Sequence, residues 1–556
     1  MSTKERAGRR GSAAGIVIAL LCLAGLACLG VYIYRQQLPP PAPETAVGYA
    51  AAPEASVPVY DGEGAVLGSL TRGTEVHYVL ADMDSDGAYV RVVNGETYVL
   101  LEKQHLALRY EDAVQVDTVY ALRGMSLLDE TGAIPGCAVE KGMALTVTGF
   151  DGLDDDGAVL RWRVSCDRGE GYIAADNVRM TEEEALAQYD ETLYQLHASR
   201  GDSWGGGDAA GLDYYPVEKG PIPGNDMPDE VRALYLNGSA VQYADSYLQA
   251  AEGSGVNAFV VDIVDGTAVS YASPVMQQYS PSAYAAAMDT MEGFRANVQK
   301  LKDAGYYLVG RITVFNDAHL AADHPEQVIC DLNGTPLQIS HMYWPSAYDR
   351  TVWRYKVDLA LEAAALGFNE IQFDYIRFPD GAYSYEKAGT IDYRNTYGES
   401  KAQAVQRFLL YAAERLHSAG YYLSGDVFGE CANPYVTACG QYWPAISAAV
   451  DAISGMPYPD HYSAQGDYKP WEHPYDTVHM FGAAAAQRQA ETASPAAVRT
   501  WIQAYNALWE PYNTYSEAEV AAEVKALRDT GCTGGFMTWN GGSDINKYRS
   551  IIGALR

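Results

Sequence analysis

This 556-residue chain is short of three things: positive charge, cysteine and phenylalanine. Lys and Arg number 39 against 71 Asp and Glu, a formal net charge of −32. So acidic a chain offers little surface to neutralise phosphates; nucleic acid is not an expected partner, and a polyanionic substrate would need a local basic pocket. Of the 8 cysteines, Cys22 and Cys28 lie in an apolar run. Cys330, Cys431, Cys439 and Cys532 are spread over the carboxy-terminal half, with no short paired spacing that reads as a zinc site. A His-Glu-x-x-His motif is absent, and the acidic stretch Asp151 to Asp156 lacks the glycine and terminal glutamate of a calcium loop. No metal or cofactor is expected. Against 11 phenylalanines stand 43 tyrosines, whose flat apolar rings and polar tips suit sugar faces, although any single one is as much at home in a core. The 48% hydrophobic and 20% charged content is that of a globular protein, long enough for several domains.

Lys4, Arg6, Arg9 and Arg10 precede an uncharged apolar run, residues 15–34. It is long enough to span a bilayer, and the preceding positive charge places residues 1–14 in the cytoplasm and the bulk outside the cell. A cleaved signal peptide is the rival reading; Ala24 to Cys28 resembles a lipoprotein cleavage site, with Gly25 where leucine is usual. Residues 35–56, rich in proline, read as a semi-rigid spacer.

Residues 57–110 and 115–180 each show short alternating strands broken by turns, the pattern of a small barrel. Arg72-Gly73 and Thr97-Tyr98-Val99 in the first recur as Lys141-Gly142 and Gly171-Tyr172-Ile173 in the second, which suggests a duplication. Both modules resemble bacterial SH3-like domains, which implies a cell-wall-binding or interaction role. Outside the cell a Cys137–Cys166 disulfide is permitted, and Cys431 and Cys439 could pair across a loop. Residues 181–226 read as a helix capped at Thr181, followed by a Gly-, Asp- and Pro-rich linker.

Residues 227–556 alternate strands with helices. Candidate strands are 233–236, 258–264, 307–315, 371–378, 422–428, 452–458, 499–505 and 535–540; candidate helices are 240–251, 284–304, 352–366, 401–418, 442–449 and 516–530. Eight such units predict an α/β fold, a (β/α)8 barrel. A doubly wound sheet is the alternative, but no glycine-rich phosphate loop follows the first strand.

The block Gly367 to Gly381 organises this half. Gly367 ends an alanine-rich helix, and the next strand places Gln372 and Asp374 on one face, with Asp374 near the carboxy-terminal end where α/β barrels do chemistry. Either Asp374 is functional or it forms a structural pair with Arg311 or Arg377. By the same alternation the mouth receives Asp262 and Asp265, Arg311 with Asp317 just beyond, and Asp426 with Glu430 four residues later. Tyr458, Asp460, His461, Tyr462, Gln503, Trp539 and Asn540 complete it. Carboxylates, one arginine, amides and aromatics are what glycoside chemistry uses. Trp344, Tyr375 and Trp539 are the candidate platforms beneath a sugar ring.

Residues 367–379, together with Val261-Asp262-Ile263, Gly310-Arg311-Ile312, Leu423 to Gly429, Met456 to Tyr462 and Trp501 to Ala504, resemble the signature of a bacterial family classed with the glycoside hydrolases. The resemblance covers roughly 228–556 and departs at Asn369, where aspartate is frequent. It implies a barrel and a glycan substrate. Together with the apolar run, the expectation is a membrane-anchored extracellular glycosidase acting on cell-wall, capsular or other polysaccharide. By analogy with related barrels the resemblance implies Asp374 as nucleophile and Asp426 as acid/base. Glu430 is a rival acid. Asp262, Arg311, Asp317, Tyr375, Arg377, Tyr458, His461, Gln503, Trp539 and Asn540 would bind substrate. The alternative is a non-catalytic glycan-binding scaffold.

Overall fold

The computed structural model describes residues 42–52, 56–95, 97–113, 116–153, 158–187, 206–207, 209, 211–213, 219–492 and 494–556. The expected membrane span, 15–34, lies outside them; among the described residues no helix is long and apolar enough to cross a membrane. The chain divides into two compact units, residues up to Val116 with Gly149–Leu160, and Asp117–Thr148 with Arg161–Arg556.

Two seven-stranded sheets occupy the amino-terminal part. Numbered within each sheet by chain position, both run third–second–sixth–fifth–fourth–first–seventh. A shared strand order of this kind bears out the duplication read from the turns. It also moves a boundary. The first strand of the first sheet is Thr45–Ala50, the counterpart of Thr118–Ala121, so part of the segment expected to be spacer is sheet. Its alternate residues Gly48 and Ala50 are buried, and a side chain at Gly48 would collide with Leu106 and Ala107. The helix expected from Thr181 is short: Thr181 accepts from the Glu184 amide, but the helix covers only Glu182–Leu186, and residues 188–197 lie outside the described ones.

The carboxy-terminal half holds nine parallel strands: β1 Val231–Leu236, β2 Ala258–Asp265, β3 Tyr307–Thr313, β4 Glu370–Asp374, β5 Tyr422–Phe428, β6 Ala452–Met456, β7 Ala497–Val498, β8 Thr500–Gln503 and β9 Gly535–Trp539. Their order is β7-β6-β5-β4-β3-β2-β1-β9-β8. Because β7 pairs with β6 and β8 with β9, and only Arg499 separates β7 from β8, one broken stave carries the sheet nearly all the way round to a closed barrel. The strands are buried on both faces, as parallel strands under helices are. Crossover helices follow them, among them Arg350–Ala364, Lys401–Ser418 and Glu517–Asp529 near their expected positions. The 16-residue helix Pro474–Gln489 has no counterpart in the sequence reading. It packs on β6, where a Cβ at Gly455 would run into Phe481.

β4 is shorter than expected. It stops at Asp374 because Tyr375 takes a left-handed φ of 53°, costly for a residue with a side chain and found where surroundings impose it. Asn369, the departure from the family pattern, donates to Asn225 and accepts from the Leu308 amide; an ionised aspartate could do only the second.

The second β module sits on the barrel helices through charged contacts. Arg350 donates to Ser126 and, at 2.5 and 3.0 Å, to Glu399. Arg407 bridges Glu399 at 2.6 Å and Glu140 at 2.8 Å.

Candidate active site

The inward residues of β4 mark three levels of the barrel. At the floor, Glu370 accepts from Arg499 at 2.6 Å, Ser424 at 2.5 Å and Tyr307 at 2.9 Å. One level up, Gln372 donates across the barrel to Ser454 at 3.2 Å. At the mouth Asp374 meets Arg311.

Arg311 is the hub. Nη1 donates to Asp262 at 2.8 Å and Nη2 to Asp374 at 2.5 Å, with Asp265 at 3.4 Å and Asp426 at 3.8 Å. Four carboxylates thus surround one guanidinium, whose face is covered by Trp539 at 5.2 Å. Asp374 also accepts from the Tyr375 amide at 2.6 Å, so the left-handed turn after β4 orients this carboxylate. Asp262 accepts from Tyr235 as well.

The cluster is rich in negative charge, and its carboxyls respond. Burial pushes Asp262 up to about 7 against the opposing pull of Arg311. Burial, and next the charge of Asp374, push Asp426 well above the ordinary carboxylate range. Trp501 donates to Asp426 Oδ1 at 2.9 Å, while Oδ2 has no hydrogen-bond partner among the described residues.

Asp374 and Asp426 therefore both point inward and share Arg311. Their access differs from what alternation implies. Asp374 is 5% exposed, whereas Asp426 is 0% exposed, because Trp501 and Tyr458 close over it among the aromatics of β8 and the β6 loop. In this conformation Asp426 cannot touch a sugar.

Glu430 can. It is half-buried on the turn after β5, accepts from Tyr435 at 3.0 Å, and lines a cavity of about 1270 Å³ at the β5, β6 and β8 side of the mouth. His461 stands exposed on the same wall, with Asp460 at 3.8 Å.

Several expected ligands make structural contacts. Asp317 caps the helix Ala318–Asp323 and pairs with buried Lys356 at 2.7 Å. Gln503 binds the Asp460 amide and the Tyr505 carbonyl, and Asn540 binds the Ala504 carbonyl and the Asp544 amide. Trp344 is fully buried, its indole donating to Ile339. In each case a side chain near the mouth is spent on a loop backbone. Arg377 is wedged against Phe428, Tyr375 and Trp344 at 4.1, 4.7 and 5.1 Å, beside Asp380. Tyr458 is buried under the mouth and stacks towards Trp539.

Sequence reading missed Tyr235, Trp501, Tyr435 and Trp509. The first two share a face with inward neighbours two residues along, a signal alternation carried; the last two lie on loops without a period. A Gly-x-Ser-x-Gly spacing at 201–205 falls outside the described residues.

The carboxy-terminal half is thus a nearly closed parallel barrel with acids gathered around one arginine at its carboxy-terminal rim. Residues 233–545 match the model of a family described as a "putative glycosyl hydrolase domain", and the chain belongs to that family. No curated protein matches it in sequence. Among solved structures it is similar to a hypothetical protein from Ruminiclostridium thermocellum, with 32% identity, 35% of this chain and 97% of that one covered, and a TM-score of 0.30. It is also similar to the PgaB (BpsB) glycoside hydrolase domain from Bordetella bronchiseptica, at 13% identity, 58% and 99% coverage and a TM-score of 0.42. A third likeness is to the α-galactosidase TtGalA from Thermus thermophilus, at 14% identity, 87% and 93% coverage and a TM-score of 0.38. The assignment rests on the family match, not on these likenesses.

Proposed function

We propose that the barrel hydrolyses glycosidic bonds of an extracellular polysaccharide by a two-carboxylate mechanism. The supporting observation is the contrast between Asp374, presented at the mouth by Arg311 and the Tyr375 amide, and Glu430, presented on the cavity wall. Asp374 is the carboxylate that stabilises or attacks the anomeric carbon. Glu430, nearer the cavity than Asp426, delivers the proton to the leaving oxygen. Asp426, sealed from solvent, lies beside Arg311. The apolar run at 15–34 favours a membrane-anchored enzyme with the barrel outside the cell, and the paired modules, read as SH3-like, favour contact with cell-wall material.

The test is incubation of the purified chain with a panel of bacterial polysaccharides, reading released reducing ends. Asp374→Asn should abolish release and keep the fold; full activity of that variant would end the assignment. The sealing of Asp426 favours a second reading, a glycan-binding barrel without turnover. That reading predicts binding by the wild type and no new reducing ends on any member of the panel.

A further inference from the structure

The cavity beside the mouth is larger than one sugar requires. Its volume, about 1270 Å³, exceeds the roughly 300–1,000 Å³ of ordinary small-molecule pockets. One rim carries Leu508 and Trp509, which are 60% and 58% exposed and line the cavity. Large apolar side chains left in water beside a polar cavity are the informative kind of exposure.

This rim is held in place. Asp460, with a fully buried side chain, accepts from Tyr505 at 2.8 Å and from the Leu508 amide at 3.3 Å. The Asp460 carbonyl accepts from the Trp509 indole at 2.9 Å. The polar edge of Trp509 is thereby committed to protein while the apolar ring remains outside. Loops free to move bury such a ring; here a carboxylate and a carbonyl on the β6 loop fix the loop after β8. The same cavity is lined by Glu430, Asn433, His461 and Gln465, which supply hydrogen-bonding groups of both signs. A flat apolar face in one cavity with carboxylate, amide and imidazole matches a pyranose, which has an apolar C–H face and a ring of hydroxyls.

We infer that this cavity is an extended subsite that binds several consecutive sugar residues of a polysaccharide, with Trp509 as stacking platform and Asp460 as the positioning residue that fixes it. The inference rests on the glycosidase reading and adds that the substrate is a chain rather than a single terminal sugar. Stacking on an exposed aromatic is sequence-tolerant in the same sense for sugars as for bases, so the platform sets chain length more than sugar identity.

The test uses the full chain, with cell-wall glycan strands and soluble capsular polysaccharide sized from disaccharide to polymer. Trp509→Ala should raise KM about tenfold on the polymer, with the penalty shrinking as the chains shorten. Asp460→Asn should do the same in part, through the loosened rim. Hydrolysis that depends on Asp374 but shows no length-dependent KM change in Trp509→Ala would overturn the subsite and leave the glycosidase standing. Should none of these glycans be cleaved, the glycosidase reading fails, and titration with the same glycans decides the subsite separately. Trp509 is the largely exposed tryptophan among those described, so a fluorescence change on binding that vanishes in Trp509→Ala supports the platform, and its absence in the wild type overturns it.

Discussion

Two buried arginines lie at opposite ends of one barrel and are balanced in opposite ways. At the floor Arg499 faces one carboxylate, Glu370, which also receives Ser424 and Tyr307. At the mouth Arg311 faces Asp262, Asp374, Asp265 and Asp426. The floor is neutral and saturated on its acidic side, as a buried pair must be if it is not to cost stability. The mouth carries more acid than base, and burial pushes Asp262 up to about 7 and Asp426 well above the ordinary carboxylate range. Charge matched to charge is architecture; charge in excess is chemistry held ready.

Breaking the mouth should act on rate. Beyond the loss expected from Asp374→Asn, on the order of 10⁴-fold in kcat, Glu430→Gln should lower kcat by about 10²–10⁴-fold, most for substrates with poor leaving groups. Breaking the floor should act on stability. Glu370→Ala leaves Arg499 buried and unpaired, and denaturant unfolding should show a loss of about 3–5 kcal/mol.

A finer contrast is pH. Asp262, raised to about 7 in the fold, keeps a proton that the unfolded chain releases near pH ~4. Between those values the folded state binds more protons, so its contribution to stability is complete below pH ~4 and is lost as pH rises towards 7. Asp262→Asn should flatten that part of the stability profile measured by thermal unfolding. The smallest effect is expected from Asp426→Asn, because burial and the charge of Asp374 push this carboxyl towards its neutral form. Its stability should stay within about 1 kcal/mol of wild type, whereas a loss comparable with Glu370→Ala would show that Asp426 is ionised and the contrast drawn here is wrong.

Much of this was legible beforehand. Alternation alone put Gln372, Asp374, Arg311 and Asp426 inside the barrel, and strand order gave the rim. Hydrogen-bond partners were not legible. Asp317, Gln503 and Asn540 are near their expected places, yet cap a helix or tie loops, a choice made by backbone groups distant in sequence. The helix Pro474–Gln489 escaped notice because alanines and Gly482 fill the spaces between its buried Val478, Phe481 and Ala485, so its apolar stripe is faint. Trp509 sits on a loop whose shape comes from Asp460, almost fifty positions earlier in the chain.

The broken stave has a mechanical corollary. Arg499 fastens the gap between β7 and β8 to the base through Glu370, and Trp501, two residues on, latches the sealed acid Asp426. Seam and stopper are thus the same few residues: the join that nearly closes the cylinder is tied at its base by Arg499 and holds the buried acid through Trp501.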